Sequence, residues 1–205
     1  MFTGIIETMG SIKEVISKGS NTSFWIHSPL SKEFRIDQSV SHDGVCLTVE
    51  EIKDGQHRVT AVAETIKKTT LGSWDKGRMV NIERCLQLQD RIDGHLVQGH
   101  VDSTLTCVKR KEKKGSWEFE FGLPKKFAAL VIEKGSVCIN GISLTAFDVK
   151  KKSFTVTIIP YTFEHTTIQF VQKGSEVNVE FDLVGKYLLR SLSLSEGYLR
   201  RKRTN

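Results

Sequence analysis

Apolar and polar residues alternate along Trp117-Glu118-Phe119-Glu120-Phe121 and Phe154-Thr155-Val156-Thr157-Ile158. A period of two marks strands with one face buried. Shorter β-branched runs cover 22–26, 45–49, 58–62 and 80–82, then 135–139 and 143–147. Gly, Asp or Asn breaks them, and Asp54-Gly55 and Lys150-Lys151-Lys152 read as hairpin tips. About six short, closely spaced strands in each half predict a small closed barrel or sandwich. Residues 29–34 and 124–132 read as short helix-like stretches, with Pro124 suited to a first helical turn. The order is not an alternating βαβ series, which excludes a doubly wound nucleotide-binding sheet.

The pattern is written twice. Gly44-Val45-Cys46-Leu47-Thr48 falls on Gly141-Ile142-Ser143-Leu144-Thr145 at a shift of 97 (141 − 44). The same shift carries Val80-Asn81-Ile82-Glu83 onto Val177-Asn178-Val179-Glu180, Thr65 onto Thr162, and Thr69-Thr70 onto Thr166-Thr167. Phe2-Thr3-Gly4-Ile5 falls on Val97-Gln98-Gly99-His100 after a two-residue slip. Solenoid and propeller repeats run to roughly 20–50 residues, so this period is a duplicated domain. The expected units are 1–93, 94–182 and a C-terminal segment 183–205. Within the last, Leu183, Tyr187, Leu188 and Leu192 recur at helical spacing. Such a helix either caps its own barrel or packs on another subunit.

Composition narrows the class. The chain of 205 residues is 39% hydrophobic and 26% charged, as in globular domains, and each copy is long enough for its own core. No apolar run approaches the ~20 residues that cross a bilayer. The start, MFTGIIETMG, lacks a basic region and an apolar signal core, so a cytoplasmic protein is expected, without membrane contact. The net charge of +6 collects at 109–114 and 200–203 without interleaved aromatics, the pattern of a solvated surface rather than a nucleic-acid site. Cys46, Cys85, Cys107 and Cys138 form no C-x-x-C and no His stands at metal-ligand spacing, so reduced thiols and no metal are expected. No glycine-rich phosphate loop occurs, so no cofactor is expected either.

Three places combine polar side chains with turn-forming backbone. The first is the Asp43-Gly44 turn and the strand after it, with its twin at Asn140-Gly141. Positions i and i+2 share a strand face, pairing Cys46 with Thr48 and Ser143 with Thr145. Duplication of the whole motif, with thiol exchanged for hydroxyl, favours a ligand pocket over a self-satisfied turn. The second is Gly94-His95-Leu96-Val97-Gln98-Gly99-His100-Val101. Its histidines, five apart, fit no metal site, but one could act as a base near neutral pH. The third is Val62-Ala63-Glu64-Thr65 with Ile159-Pro160-Tyr161-Thr162, read as strand ends whose threonines contact a ligand ring or cap a turn.

Together, MFTGIIE, D-G-V-C-L-T, G-H-L-V-Q-G-H-V and N-G-I-S-L-T resemble riboflavin synthase of the alpha-chain type, over roughly the whole chain and both copies. The resemblance implies an all-β fold of two tandem six-stranded Greek-key barrels and a C-terminal helix that assembles a homotrimer. It implies a cofactor-free dismutation in which two 6,7-dimethyl-8-ribityllumazine molecules exchange a four-carbon unit to give riboflavin and 5-amino-6-(D-ribitylamino)uracil. The active site would lie between the N-barrel of one subunit and the C-barrel of its neighbour. By motif, Phe2, Gly4, Ile5 and Ile6 fall to the N-barrel, with Cys46, Leu47, Thr48 and Thr65. Gly99, His100, Val101, Lys134, Ser143, Leu144, Thr145 and Thr162 fall to the C-barrel. Val62, Ala63, Glu64, Ile159 and Pro160 join the substrate contacts. Ser39 and Asp182 stand near the reacting centre, and Cys46, His100, Ser143, Thr145 and Lys134 complete the catalytic candidates. Val45 departs from members that carry a second cysteine there. Lumazine synthase is a candidate partner. The alternative is a non-catalytic lumazine or flavin carrier of the same fold, though such carriers have one eroded pocket and both pockets here look complete.

Overall fold

A computed structural model describes the backbone of residues 1–203 and the side chains up to Ser195. The first barrel is built from β1 (Thr8–Lys18), β2 (Asn21–His27), β3 (Ser39–His42), β4 (Val45–Lys53), β5 (Gln56–Ala61) and β6 (Met79–Arg84), closed in the order β1-β2-β5-β4-β3-β6. The second repeats that order with β7 (Ser103–Lys113), β8 (Ser116–Gly122), β9 (Ser136–Ile139), β10 (Ile142–Phe147), β11 (Ser153–Ile158) and β12 (Glu176–Phe181). All strand pairs are antiparallel. Alternation does what its period predicts. On β8, Phe119 and Phe121 are fully buried, while Glu118 and Glu120 face out opposite Lys111 and Lys109. The basic run at 109–113 is strand, so its residues alternate: Lys109 and Lys111 face out, while Arg110 lies half-buried over the Phe119 and Phe163 rings.

The helical expectations need correction. Residues 29–34 form only turns, and of 124–132 only Lys125–Leu130 winds, as a 3-10 segment. Two short helices stand where strand ends were read: α1 (Ala63–Lys68) and α2 (Pro160–His165). Each is followed by a 3-10 turn, Thr70–Ser73 and Thr167–Phe170, capped by the Thr69 or Thr166 hydroxyl. The C-terminal helix is α3 (Leu183–Arg203). Asp182 caps its first turn by accepting from Val184 N at 2.9 Å, and Lys186 pairs with Asp102 at 2.6 Å. Val184, Tyr187, Leu188 and Leu192 remain exposed. The basic run Arg200-Arg201-Lys202-Arg203 lies outside the described side chains.

The barrels meet along a pseudo-twofold seam. Gly44 and Gly141 both have positive φ, and a Cβ on either would stand under 3 Å from the other's backbone nitrogen. Only glycine fits such a conformation at such a distance. Around them Asn81 Nδ2 donates to Asn140 O and Asn178 Nδ2 to Asp43 O, at 2.8 and 2.9 Å. Their Oδ1 atoms accept from Thr167 N and Thr70 N, both at 2.7 Å. Each asparagine thus bridges to the opposite barrel with both ends of its amide.

The two cores differ in polarity at a buried histidine pair. In the first barrel His42 Nε2 lies 2.8 Å from His57 Nε2, and His57 Nδ1 lies 2.8 Å from Ser31 Oγ, all fully buried. The repeat places apolar Ile139 and Phe154 at the positions of His42 and His57. Burial holds His57 down to about 4 and His42 well below the usual imidazole range, so both are neutral in the fold. The unfolded chain binds these protons near pH 6.5 and the fold resists them, so stability falls as pH drops from about 6.5 toward 4. By that linkage His57 alone removes on the order of 2 kcal/mol at pH 5 relative to pH 7.5. Denaturant titrations at the two pH values should show this loss. His42→Ile with His57→Phe, the residues of the twin barrel, should flatten it.

Candidate functional site

Each copy's lead segment crosses to the other barrel. Cys46 N donates to Gly99 O at 2.9 Å, and Ser143 N donates to Gly4 O at 2.8 Å. Between them the segments pair with each other through Phe2 and Val97. Gly4 and Gly99 have positive φ, and a Cβ on either would fall 2.6 Å from the Cβ of Ser143 or Cys46. The grouping drawn from motif order is therefore reversed. Gly99, His100 and Val101 wall the first barrel's half-site, and Gly4, Ile5 and Ile6 belong with the second.

The segments are anchored by two buried carboxylates. Glu83 on β6 accepts from Thr3 N, Thr3 Oγ1 and Gly4 N at 2.7–3.1 Å. Its twin Glu180 on β12 accepts from Gln98 N, Gly99 N and His100 N at 2.7–2.9 Å. Burial raises both carboxyl groups while the amides counteract it, with Lys186 also helping at Glu180. These four residues, Asn81, Asn178, Glu83 and Glu180, were visible as repeated letters at the shift of 97, but no role followed from the spelling.

The first half-site is a cavity of about 210 Å³ lined by Val45, Cys46, Glu64, Thr65, Lys68, Thr69, Gly99, His100 and Val101. Cys46 faces it half-buried, and burial raises its thiol above the ordinary range although the Ser39 hydroxyl opposes this. The thiol is therefore protonated at neutral pH, a donor rather than a thiolate. Ser39 sits on β3 opposite Thr48, its carbonyl accepting from Cys85 Sγ at 3.3 Å. Thr48 stands exposed two positions along β4, and Val62 and Ala63, the N-cap and first residue of α1, are also exposed. Leu47 points into the barrel core instead of the cavity. Phe2 is wholly buried against Val97 and Cys138, so its part is to seat the segment.

In the second half-site Ser143 Oγ lies 2.7 Å from His95 Nδ1. Burial lowers His95 and the nearby Asp182 carboxylate opposes this. A neutral imidazole bonded to a hydroxyl can take a proton through it. His95 was recognised in sequence only as one of two candidate bases; contact with Ser143 singles it out. Ile6 and Leu144 pack half-buried against the second core, while Ile5, Thr145, Ile159 and Pro160 are exposed and Thr162 is half-buried at the start of α2. Lys134 lies apart, in a left-handed turn whose ammonium stands 5.7 Å over the Phe147 ring.

The lumazine-binding domain family matches residues 3–85 and again 98–182. Riboflavin synthase of Bacillus amyloliquefaciens is 36% identical over 96% of this chain and 92% of its own length. The chain belongs to the riboflavin synthase family. The Saccharomyces cerevisiae riboflavin synthase is 35% identical over 95% of this chain and 87% of its own. The fold matches that of LumP complexed with riboflavin at a TM-score of 0.83, with 21% identity over 88% of this chain and 99% of LumP. The two matched repeats correspond to the two barrels.

The anchoring carboxylates give a crossed expectation. Glu180→Gln replaces an acceptor oxygen by an amide NH2 group facing N–H donors, an unsatisfied arrangement costing about 1–3 kcal/mol. Amide hydrogen exchange should quicken at Gln98, Gly99 and His100, on the first barrel's half-site, with Thr3 and Gly4 unchanged. Glu83→Gln should do the reverse. Equal acceleration of both segments by either variant would contradict separate anchoring.

Proposed function

We propose that this protein joins two 6,7-dimethyl-8-ribityllumazine molecules, moving a four-carbon unit from one to the other to yield riboflavin and 5-amino-6-(D-ribitylamino)uracil. The observation carrying this reading is the pair of crossed half-sites, each with its own lead-segment wall and its own thiol or hydroxyl. A reaction between two identical substrates calls for two matching cradles, and a carrier needs only one.

The chemistry asks one lumazine to lose a proton from its C7 methyl group and the other to accept attack at C7. Holding two flat rings face to face supplies much of the rate through proximity and orientation. Neutral His95, through Ser143, is suited to proton transfer in the second half-site. In the first, the protonated Cys46 thiol and the exposed His100 are suited to donate hydrogen bonds to the ring acting as acceptor. Backbone amides and the Thr65 and Thr162 hydroxyls are suited to the pyrimidine edge and ribityl chain. No step calls on a metal or organic cofactor.

A cavity of about 210 Å³ is smaller than the ~300–1,000 Å³ of typical ligand sites. This supports a site closed by a neighbouring subunit, the N-barrel of one chain facing the C-barrel of the next. The uncovered apolar face of α3 supports a homotrimer as that assembly. Four free thiols suit a reducing compartment and support a cytoplasmic location. Among the described residues no helix is long and apolar enough to cross a membrane.

Purified protein mixed with the lumazine alone should develop riboflavin absorbance and fluorescence, and EDTA should not abolish it. Binding without turnover would transfer the assignment to a carrier. Truncation after Asp182 should shift sedimentation toward monomer and lower activity. Cys46→Ala and Ser143→Ala proteins, each impaired, should regain activity when their subunits are exchanged, because mixed assemblies contain intact N- and C-barrel pairs. Confirmed exchange without recovery would place the site within each chain.

A further inference from the structure

One cavity of substantial volume lies away from both half-sites. A cleft of about 610 Å³ opens between the barrels on their pseudo-twofold axis, with Asp43 and Thr167 buried in its wall and Arg78, Phe170 and Glu176 nearer its mouth. Its lining comes in pairs at the shift of 97: Asp43 with Asn140, Arg78 with Ser175, Met79 with Glu176. One partner of each of the first two pairs is charged and the other neutral, so the first repeat alone places an ion at these positions.

Both ions are incompletely satisfied. Asp43 Oδ1 accepts from Asn81 N at 2.8 Å and Thr167 Oγ1 at 3.1 Å, but Oδ2 has no hydrogen-bond partner among the described residues. Arg78 Nε, also buried, has none either. The guanidinium is close enough to favour the ionised form of Asp43, yet the two form no ion pair within 4 Å among the described residues. Burial nevertheless pushes Asp43 up to about 6, so at neutral pH a charge is held where the twin asparagine does the same structural work. A buried carboxylate kept against a neutral alternative, in a cleft, is the mark of a site. A buried polar atom without a protein partner is satisfied by water or by a ligand that reaches it.

We propose that this cleft binds a small uncharged ring compound whose edge carries adjacent N–H and C=O groups, the edge of a pyrimidinone or related lactam. The N–H goes to Asp43 Oδ2 and the C=O receives Arg78 Nε–H. Phe170, Met79 and Val171 offer apolar surface to the ring faces. Asp75 and Glu176 together with Asp43 outnumber the single guanidinium, which disfavours phosphates and carboxylates. Because both orphaned atoms lie beneath the surface, the Arg78 side chain must swing outward to admit the ring. Its guanidinium carbon now stands 5.8 Å from the Trp74 ring centroid, so Trp74 registers the movement. The inference stands apart from the proposed reaction, since none of these residues belongs to either half-site.

The test uses the Trp74 indole N–H, which donates to Thr70 Oγ1 at 3.3 Å and is one of only three indoles in the chain. Its resonance, assigned with Trp74→Phe, is followed by NMR as 5,6-diaminouracil is added to the full-length protein. A saturable shift is expected in the wild type and equally in Cys46→Ala, which is altered only at the half-site. Asp43→Asn and Arg78→Ala should each weaken it at least tenfold. Asp43→Asn copies the twin and should leave the remaining spectrum in place, which separates lost binding from lost folding. No shift in the wild type, or a shift as strong in Asp43→Asn, overturns the proposal and leaves the cleft to water. A shift that disappears in Cys46→Ala assigns the binding to the half-site and overturns it equally.

Discussion

The contact between Gly44 and Gly141 governs the molecule. Two turns, each held at positive φ, touch backbone to backbone where any side chain would collide. That approach lets Asn81 and Asn178 reach across with both ends of their amides, and each of these four amide hydrogen bonds has its counterpart from the other copy. Buried amides must find partners or forfeit stability. The seam supplies all of them only at one distance and one angle. Cys46 and Ser143 each lie two residues beyond these turns, so the seam also sets where the half-sites stand.

The second layer follows from the first. The crossed segments lie between barrels whose separation is already set, and Glu83 and Glu180 hold them there with charge-assisted bonds to successive backbone amides. A carboxylate taking several N–H groups resists displacement better than a neutral acceptor would, which suits a wall against which a flat ring must rest. The half-sites thus borrow rigidity from the barrels while presenting backbone to the ligand.

How much of this was legible in the letters depended on range. WEFEF and FTVTI declared half-buried strands because their neighbours on either side suffice to show it. The shift of 97 declared a duplicated domain for the same kind of reason. Residues 63–68 and 160–165 were misjudged because six-residue helices carry too little periodicity to separate from the strand before them. Gly4 and Gly99 were assigned to the wrong barrels because chain order says nothing about exchange between copies. The His42–His57 pair went unnoticed because its histidines lie 15 residues apart, on strands that only the closed barrel brings together. Nothing in the spelling separates His95 from His100; only the Ser143 hydroxyl beside His95 does.

Crossing of the lead segments bears on ancestry. A single barrel cut from this chain would retain its core yet lack one wall of its own half-site, because that wall is written in the other copy. The ancestral one-barrel protein would therefore have worked only as a symmetric pair, each molecule lending its N-terminus to its twin. Fusion of the two genes released that pair from the obligation to remain identical. Only afterwards could one copy keep a thiol and the other a hydroxyl, and a protein that consumes two equal molecules come to treat them unequally.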